Sequence, residues 1–493
     1  MIAESLVILL LFGGGCALMR VVGVRGWGLA PLGFLAGVCL LLAVGFLQVA
    51  TGLPTAPAIT LAVVFGGPVG WWILRWRAGR AAGVPVPLAV GSALAIVGAV
   101  AVLRAANMLK WHPDSLTYLM AGRLLADGDY RSTASTELLT ARVLGVPLLH
   151  APADLGGALY LRSITPLLAA ATVAAVVWFL WRAGRGAVTP RRLAAVAALV
   201  ALLLLTNNRV IFSFFYLNGH LLFAACVLLV AGGGWLLATR PDRALMTLQL
   251  LAIPGLVITR PEGYLAAVLV LLPTVLSARV PHRHRAAVTA VFGGTALLFA
   301  TLQSWIFLDR DTAIPASVIG AAALGAAALA AIPLLGRATS HERGGRLLAL
   351  GEAGIWLGLA ALAIRDPDTL WASLRALYGN QIEGLGGYGL SITVLSGLLL
   401  LAWLLSPRLP HQAHLRFPLT TFLPFCLVMA YLREGAYRAA DADSMNRMFI
   451  HVVPLAVLFL SALLTGTGND TEKEPAAESA TPEERRVEVA APV

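Results

Sequence analysis

The chain has 493 residues, of which 59% are hydrophobic and 12% are charged, and its mean hydropathy is +0.82. This composition excludes an ordinary soluble protein, because too few polar side chains remain to cover a surface that faces water. The net charge of +11 comes from arginines in short segments between apolar stretches. It therefore indicates membrane orientation rather than a surface for nucleic acid.

Apolar segments follow one another along the whole chain, and most are long enough to cross a hydrocarbon core of about 30 Å as helices. We predict an all-α integral membrane protein with about 15 transmembrane helices, within a range of roughly 12 to 15. Two of the segments, 193–206 and 244–259, are short for a span. The predicted spans are 5–19, 27–50, 57–74, 84–103, 159–181, 193–206, 219–238, 244–259, 263–278, 286–308, 312–336, 347–364, 388–406, 417–432 and 448–464.

The cations between these spans alternate between two sides. Loops on one side hold 19 arginines against two acids, Asp242 and Glu342, whereas loops on the other side hold 14 cations against 15 acids. Short cytoplasmic loops are rich in Lys and Arg. The first side is therefore predicted to be cytoplasmic, with the N-terminus outside and the C-terminus inside. The excess of arginine over lysine favours a bacterial cytoplasmic (plasma) membrane.

Several common motifs of catalysis and metal binding are absent from the sequence. It has no P-loop, no GxGxxG after a strand, no GxSxG and no HExxH, which argues against a nucleotide-driven reaction on the cytoplasmic side. The four cysteines all fall inside predicted spans and are expected to be apolar packing residues. They are Cys16, Cys39, Cys226 and Cys426.

The longest loop on the predicted outer side follows the fourth span. Apolar side chains recur with helical spacing from Leu116, which predicts an amphipathic helix at 115–126 lying in the membrane interface. A second helical stretch is predicted at 134–146. Tyr118 is expected to be an interfacial aromatic residue.

Asp114 opens this loop and has two interpretations. It follows Pro113 and precedes the predicted helix, so its carboxylate could simply cap the free N–H groups of the first turn. Alternatively, a carboxylate held near the lipid surface could take a proton from an acceptor hydroxyl or bind a metal ion.

Arg260 and Glu262 lie in a tight turn, Thr259–Tyr264, between two very apolar segments. In one interpretation the turn merely reverses the chain and its charges sit in water. In the other the two charges serve a site, because charges placed between apolar helices are costly unless they have partners.

The segment before the last span places Asp443, Arg447 and His451 four residues apart, and hence on one face if 443–464 is a single helix, with Pro454 kinking it deeper. Asp443 and Arg447 could form a plain ion pair. They could also belong to a phosphate clamp, since the planar fork of arginine suits phosphate oxygens.

Two further polar residues, Arg209 and His220, lie near the predicted outer ends of their spans. Both could contribute to such a clamp.

The run His112-Pro-Asp114-Ser-Leu-Thr-Tyr118-x-x-Ala121-Gly-x-x-Leu-Ala-Asp-Gly128-Asp-Tyr130 resembles the first extracytoplasmic loop of the polytopic GT-C glycosyltransferases. Those enzymes take sugars from polyprenyl-phosphate donors. The Arg260-Pro-Glu262-Gly263 turn and the Asn446-Arg447-x-x-x-His451-x-x-Pro454 segment are also similar to features of that family. The resemblance covers roughly residues 84–464.

The resemblance implies a division of the chain into three parts. The sequence also departs from the family pattern in two respects. Residues 1–83 would be additional N-terminal helices, 84–464 the catalytic module with its loop at 104–158, and 465–493 a disordered cytoplasmic tail. One departure is that three extra spans precede Asp114. The other is that Asp114 lacks the acidic neighbour common in relatives, which weakens the case for a metal. The resemblance specifies no cofactor with certainty and leaves a divalent metal ion open.

The resemblance further implies a membrane glycosyltransferase that moves a sugar from a polyprenyl-phosphate carrier to a glycan or glycolipid acceptor of the cell envelope. Asp114 would be the catalytic residue, either as the base or as the carboxylate that orients the acceptor. The other expected substrate-binding residues are Arg209, Arg260, Glu262, Asp443, Arg447 and His451. The alternatives are a transporter or flippase for a lipid-linked glycan, and an accessory membrane subunit without catalysis.

Overall fold

The structure, a computed structural model, describes residues 1–106, 109, 113–133, 135, 143–185, 188–336, 341–405, 412–432 and 447–465. Every regular element in these ranges is a helix. The α-helices are α1 Ile2–Val21, α2 Leu29–Thr51, α3 Pro57–Arg77, α4 Val86–Ala105, α5 Pro113–Asp127, α6 Tyr130–Thr133, α7 Gly145–His150, α8 Ile164–Gly184, α9 Pro190–Leu205, α10 Asn208–Phe214, α11 Gly219–Thr239, α12 Arg243–Ile258, α13 Gly263–Leu276, α14 His282–Asp309, α15 Ala316–Ala331, α16 His341–Arg365, α17 Pro367–Gln381, α18 Leu390–Leu405, α19 Ala413–Leu432 and α20 Val453–Thr465.

Ten helices of the described ranges are long and apolar enough to cross a membrane, which identifies a multi-pass, all-α membrane protein. The bent pair of α9 and α10 would make eleven if it counts as one span. Each of the fifteen segments expected from the sequence coincides with a helix: ten with these long helices, one with α9, and four with shorter apolar helices of 10–17 residues. The four shorter helices are α12, α13, the apolar part of α18, and α20.

The loops of this bundle gather at two ends. One end, which we call the loop end, includes residues 51–56, 143–163, 206–218 and 259–262. There the carboxylate of Glu4 accepts a hydrogen bond from the backbone N–H of Ser163. At the opposite, arginine end, Arg182 pairs with Asp242 at 2.9 Å. Consecutive long helices thus bring the acid-rich loops to one end and the arginine-rich loops to the other. Which end faces the cytoplasm remains a prediction from the charge bias.

Helix α11 lies at the centre of the bundle, with every residue from Gly219 to Ala238 buried. It packs against α8, α12, α13, α19 and α20. Such close packing from many sides requires small residues. At Gly232, for example, an added Cβ would lie only 3.1 Å from the ring atom Cε2 of Phe179. Because α11 is fixed on all sides, its first turn at the loop end offers a rigid support for side chains.

Helix α9 agrees with the predicted segment 193–206, but two local features were not predicted: the short helix α10 that follows it and the 3-10 turn before α20. Helix α9 ends at Leu205, and α10 turns away from it by 80°, because the side chain of Asn207 accepts hydrogen bonds from the N–H groups of Arg209 and Val210 and so starts a new helix. A single continuous helix over 443–464, the condition for placing Asp443, Arg447 and His451 on one face, is not found in the described part of that range. Residues Phe449–His451 form a 3-10 turn and α20 begins at Val453, so Pro454 falls in the first turn, where its missing N–H costs little.

Helix α5, Pro113–Asp127, overlaps the helix predicted at 115–126. Most of the predicted helix 134–146 lies outside the described residues, as does the predicted tail from residue 466 onward.

Candidate functional site

The turn between α12 and α13 is buried. The Glu262 side chain is only 2% exposed and the Arg260 side chain 16%, and Arg260 Nε lies 3.0 Å from Glu262 Oε1. The interpretation in which both charges sit in water is therefore wrong. A buried ion pair needs good geometry and further hydrogen bonds to offset the cost of desolvation. The residues packed around the Arg260–Glu262 pair therefore determine what this pair can do.

Glycines let neighbouring elements close on this turn. A Cβ at Gly145, in α7, would lie 2.7 Å from Thr259 Cα, and one at Gly219, in α11, would lie 3.0 Å from the Thr259 carbonyl oxygen. Leu144 also donates a backbone hydrogen bond to Ile258 at 3.1 Å. The turn is thus clamped between the loop that precedes α7 and the first turn of α11.

Arg260 reaches α5 as well, where the Tyr118 hydroxyl accepts a hydrogen bond from it. Burial by itself would lower the pKa of the guanidinium, but Glu262 and Tyr118 outweigh it and raise the pKa of Arg260 above its usual value. Arg260 is therefore a permanent cation. Tyr118 is 2% exposed, so its ring is packed inside the protein next to this arginine, and its predicted position at the membrane interface stays a prediction.

Asp114 stands one turn before Tyr118 in α5, and its side chain lies outside the described residues. The neighbouring Ser115 hydroxyl donates to the Leu217 carbonyl at 3.1 Å, which fixes the start of α5 against the segment that leads into α11. The backbone of the predicted catalytic residue is thus held next to the Arg260 turn.

Two buried histidines meet directly at this end of the bundle. His220 Nδ1 lies 2.8 Å from His451 Nε2, and the ring centroids are 5.0 Å apart. Since one nitrogen must donate and the other accept, at least one ring is uncharged. Asn218 caps the start of α11: its side-chain Oδ1 accepts a hydrogen bond from the backbone N–H of His220 at 2.8 Å, which helps to position His220.

Three arginines from separate segments lie near His220. Arg209, Arg260 and Arg447 all interact electrostatically with His220. Arg447 also donates to the Tyr216 hydroxyl, with Nη1 3.3 Å from the oxygen. We call this set the arginine–histidine cluster. Its members are Arg209, His220, Arg260, Glu262, Arg447 and His451.

The cluster brings together three guanidinium groups and one carboxylate among the described residues, and guanidinium groups suit the oxygens of an anion such as phosphate. Asp443, the other predicted member of the clamp, lies outside the described residues. The described residues contain no group of three or more His, Cys, Asp or Glu side chains that could hold a metal ion.

A large apolar cavity of about 1010 Å³ lies beside the cluster, between α16, α17, α18, α19 and α20. Its volume is at the upper limit of roughly 300–1,000 Å³ for small-molecule sites. The lining residues of α16 run from Gly344 to Trp356, a rise of about 18 Å along the helix. The cavity extends from Ser277 and Arg416 at the arginine end to Gln381 and Phe449 at the loop end.

Phe422 connects this cavity to the cluster. Its ring centroid lies 6.2 Å from that of Phe449, which also lines the cavity, and 6.2 Å from that of His451. The lining residue Val452 directly follows His451 in the chain. The cationic cluster therefore stands at one end of a long apolar space.

Two tyrosines of this region are not evident from the sequence. Tyr216 reaches Arg447, and Tyr388, 2% exposed, interacts with Arg209 and accepts a hydrogen bond from the backbone N–H of Ile450. Neither belongs to a charged motif or a helical period. Tyr118, by contrast, follows Asp114 by four residues, and this spacing could have identified it.

Comparison with protein-family models, with curated proteins and with solved structures finds no match to this chain.

Proposed function

We propose that the protein is a membrane glycosyltransferase of GT-C type that takes a sugar from a polyprenyl-phosphate carrier. The observation that carries this proposal is the position of the arginine–histidine cluster at the end of the 1010 Å³ apolar cavity. An anionic head group attached to a long isoprenoid chain fits both parts at once. The acceptor is a glycan or glycolipid of the cell envelope, on the outer side of a bacterial cytoplasmic membrane.

In the proposed reaction an acceptor hydroxyl attacks the anomeric carbon of the sugar. The bond between this carbon and the phosphate oxygen breaks, and the electron pair leaves with the polyprenyl phosphate. Asp114 receives the proton of the hydroxyl. Arg260 and Arg447 stabilise the negative charge that develops on the leaving phosphate, which is where fixed cations in a dry site lower a barrier most.

The remaining cluster residues would support these two arginines. Glu262 holds Arg260 at 3.0 Å and fixes its orientation. Arg209 and His451 complete the binding surface for the phosphate or the sugar, and Asp443 would act on Arg447.

The isoprenoid chain would lie in the cavity among side chains of α16, α19 and α20. Burial of each methylene is worth about 0.8 kcal/mol in a fully apolar site. Tail binding would therefore supply affinity, while the arginines select a phosphate.

A lipid-linked glycan flippase is the second candidate, and one observation favours it. The cavity reaches both ends of the bundle, and Glu352 and Arg416 are among its lining residues toward the arginine end. A transport route needs polar groups beyond the outer half of the membrane, and these two residues satisfy that need in part.

A direct test uses the purified protein, reconstituted in vesicles, with a panel of radiolabelled polyprenyl-phosphate sugars and membrane acceptors. The glycosyltransferase proposal expects label to move to the acceptor, and expects Arg447→Lys to transfer far less. Movement of an intact fluorescent lipid-linked sugar between leaflets, without transfer to any acceptor, would instead support the flippase.

A further inference from the structure

A second cavity, of about 200 Å³, lies at the arginine end, remote from the arginine–histidine cluster. Its walls are the turn between α1 and α2, the end of α3 with the segment after it, and the start of α12. Five arginine side chains line it. They are Arg20, Arg25, Arg75, Arg80 and Arg243.

We call this second cavity the arginine pocket. Arg20 connects two of the segments that line it. Its guanidinium donates to the carbonyl of Val24 at 3.1 Å and to that of Ala82 at 3.3 Å, and it also bonds to the carbonyl of Gly83. These bonds tie the α1–α2 turn to the segment after α3. Carbonyl groups satisfy the N–H donors of Arg20 but do not neutralise its charge.

No acidic side chain lines the pocket in the part of the chain that the structure describes. Asp242 is next to Arg243 in sequence, but it pairs with Arg182 at 2.9 Å. Arg75 Nε is buried and makes no hydrogen bond to the described residues. Five like charges around so small a space repel one another, so the arrangement favours a bound anion.

Two tryptophans lie beside the pocket, and their presence indicates the level of lipid head groups. Trp72 donates from Nε1 to the Ala82 carbonyl at 3.2 Å, and its ring stacks on that of Trp76 at 6.1 Å. Trp76 is 53% exposed on the outside of the bundle. Tryptophan is enriched where the hydrocarbon core meets the head groups.

We propose that the arginine pocket binds the phosphate group of an anionic phospholipid. Several guanidinium forks surround one small polar space, which suits the oxygens of a phosphate. Basic pockets between membrane helices bind anionic head groups in this way. The site is independent of the glycosyltransferase proposal, and it would hold α1, α3 and α12 together as a lipid-dependent contact.

The test measures thermal unfolding of the full-length protein in detergent with added lipid. Phosphatidylglycerol should raise the Tm by about 2–4 °C at saturation, whereas phosphatidylcholine should not. The double variant Arg75→Gln/Arg80→Gln should lose this rise. Arg77→Gln is the matched control, because Arg77 lies at the same end of α3 but does not line the pocket.

A second arm adds inorganic phosphate in place of lipid. A rise with phosphate that is lost in the double variant would support the anion site but assign it to a soluble phosphate. An equal rise with phosphatidylglycerol in wild type and double variant would overturn the proposal, as would no rise with either probe. Should the double variant fail to fold, Arg243→Gln, which alters the pocket from α12, replaces it, with bound lipid counted by native mass spectrometry.

Discussion

Arg260 and Arg447 both interact with His220, but their contacts among the described residues differ. Arg260 lies against the Glu262 carboxylate, whereas Arg447 donates to the neutral hydroxyl of Tyr216. Removing Arg260 would leave a buried carboxylate without its cation and disturb the fold. Arg447 is therefore the better residue for testing whether the cluster binds a phosphate.

We expect Arg447→Lys to lower the rate of sugar transfer by about 10²–10³, because lysine keeps the charge but loses the planar fork that faces a phosphate. A surface ion pair, worth roughly 0–1 kcal/mol, could not account for such a loss. Steady-state transfer from a polyprenyl-phosphate sugar measures it. Tyr216→Phe is the control, since it removes the observed contact and keeps the guanidinium. Full activity in Arg447→Lys would return this residue to a structural role.

Asp114 can be tested by the same logic, because asparagine is also a good N-cap. A catalytic base predicts that Asp114→Asn lowers the rate by about 10²–10⁴ with folding intact. A capping role predicts normal transfer and a change in the free energy of unfolding of ~0.5 kcal/mol or less. Asp129→Asn, at an exposed position of the same loop, is the matched control. The rate constant and the Tm of each variant separate the two roles.

At the scale of single residues, the sequence identifies site residues where a charged side chain stands between very apolar segments. Arg260 and Glu262 stand out because charges are costly between apolar helices, and in the structure Glu262 is buried and Arg260 is largely covered. Tyr216 and Tyr388 could not be found in this way, because a tyrosine beside an apolar span is ordinary. Their contacts depend on how distant segments pack, which no local pattern specifies.

At the scale of elements, the Arg260 turn is positioned by close backbone contacts. We expect Gly145→Ala to destabilise the protein by about 1–3 kcal/mol, since its Cβ would lie 2.7 Å from Thr259 Cα and one backbone must move. Transfer activity should fall as well, because the displaced turn carries Arg260. Gly294→Ala in α14 is the control, with no atom within 4 Å of its Cβ. Equal Tm values for the two variants would show that the contact at Thr259 is not tight.

The helices themselves were largely predictable, because apolar length is a strong signal and each expected segment contains one. Their ends were less predictable. The 80° bend after α9 depends on the single side chain of Asn207, and the 3-10 turn before α20 depends on where Pro454 falls in its helix. Neither choice follows from hydropathy alone.

At the scale of the whole molecule, the separation of loops into two ends allows orientation to be measured. We expect a cysteine at Asp129 or Arg375 to react with a membrane-impermeant thiol reagent in whole cells, and one at Arg185 or Arg343 not to react. All four positions are exposed. The four native cysteines are buried, so their background labelling should be low. The reverse pattern would place the arginine–histidine cluster on the cytoplasmic side and exclude the proposed reaction.

The buried Glu4 carboxylate has a consequence for how the protein is made. Glu4 bonds to Ser163 at 2.7 Å and to Arg104 at 2.8 Å, so its partners are synthesised long after α1 has left the ribosome. At about 5–20 residues per second, roughly ten to thirty seconds pass before Ser163 exists. We expect chains arrested after α4 to be cut by protease near α1 faster than chains arrested after α8. The first helix to enter the membrane would then be among the last of the early helices to be fixed in place.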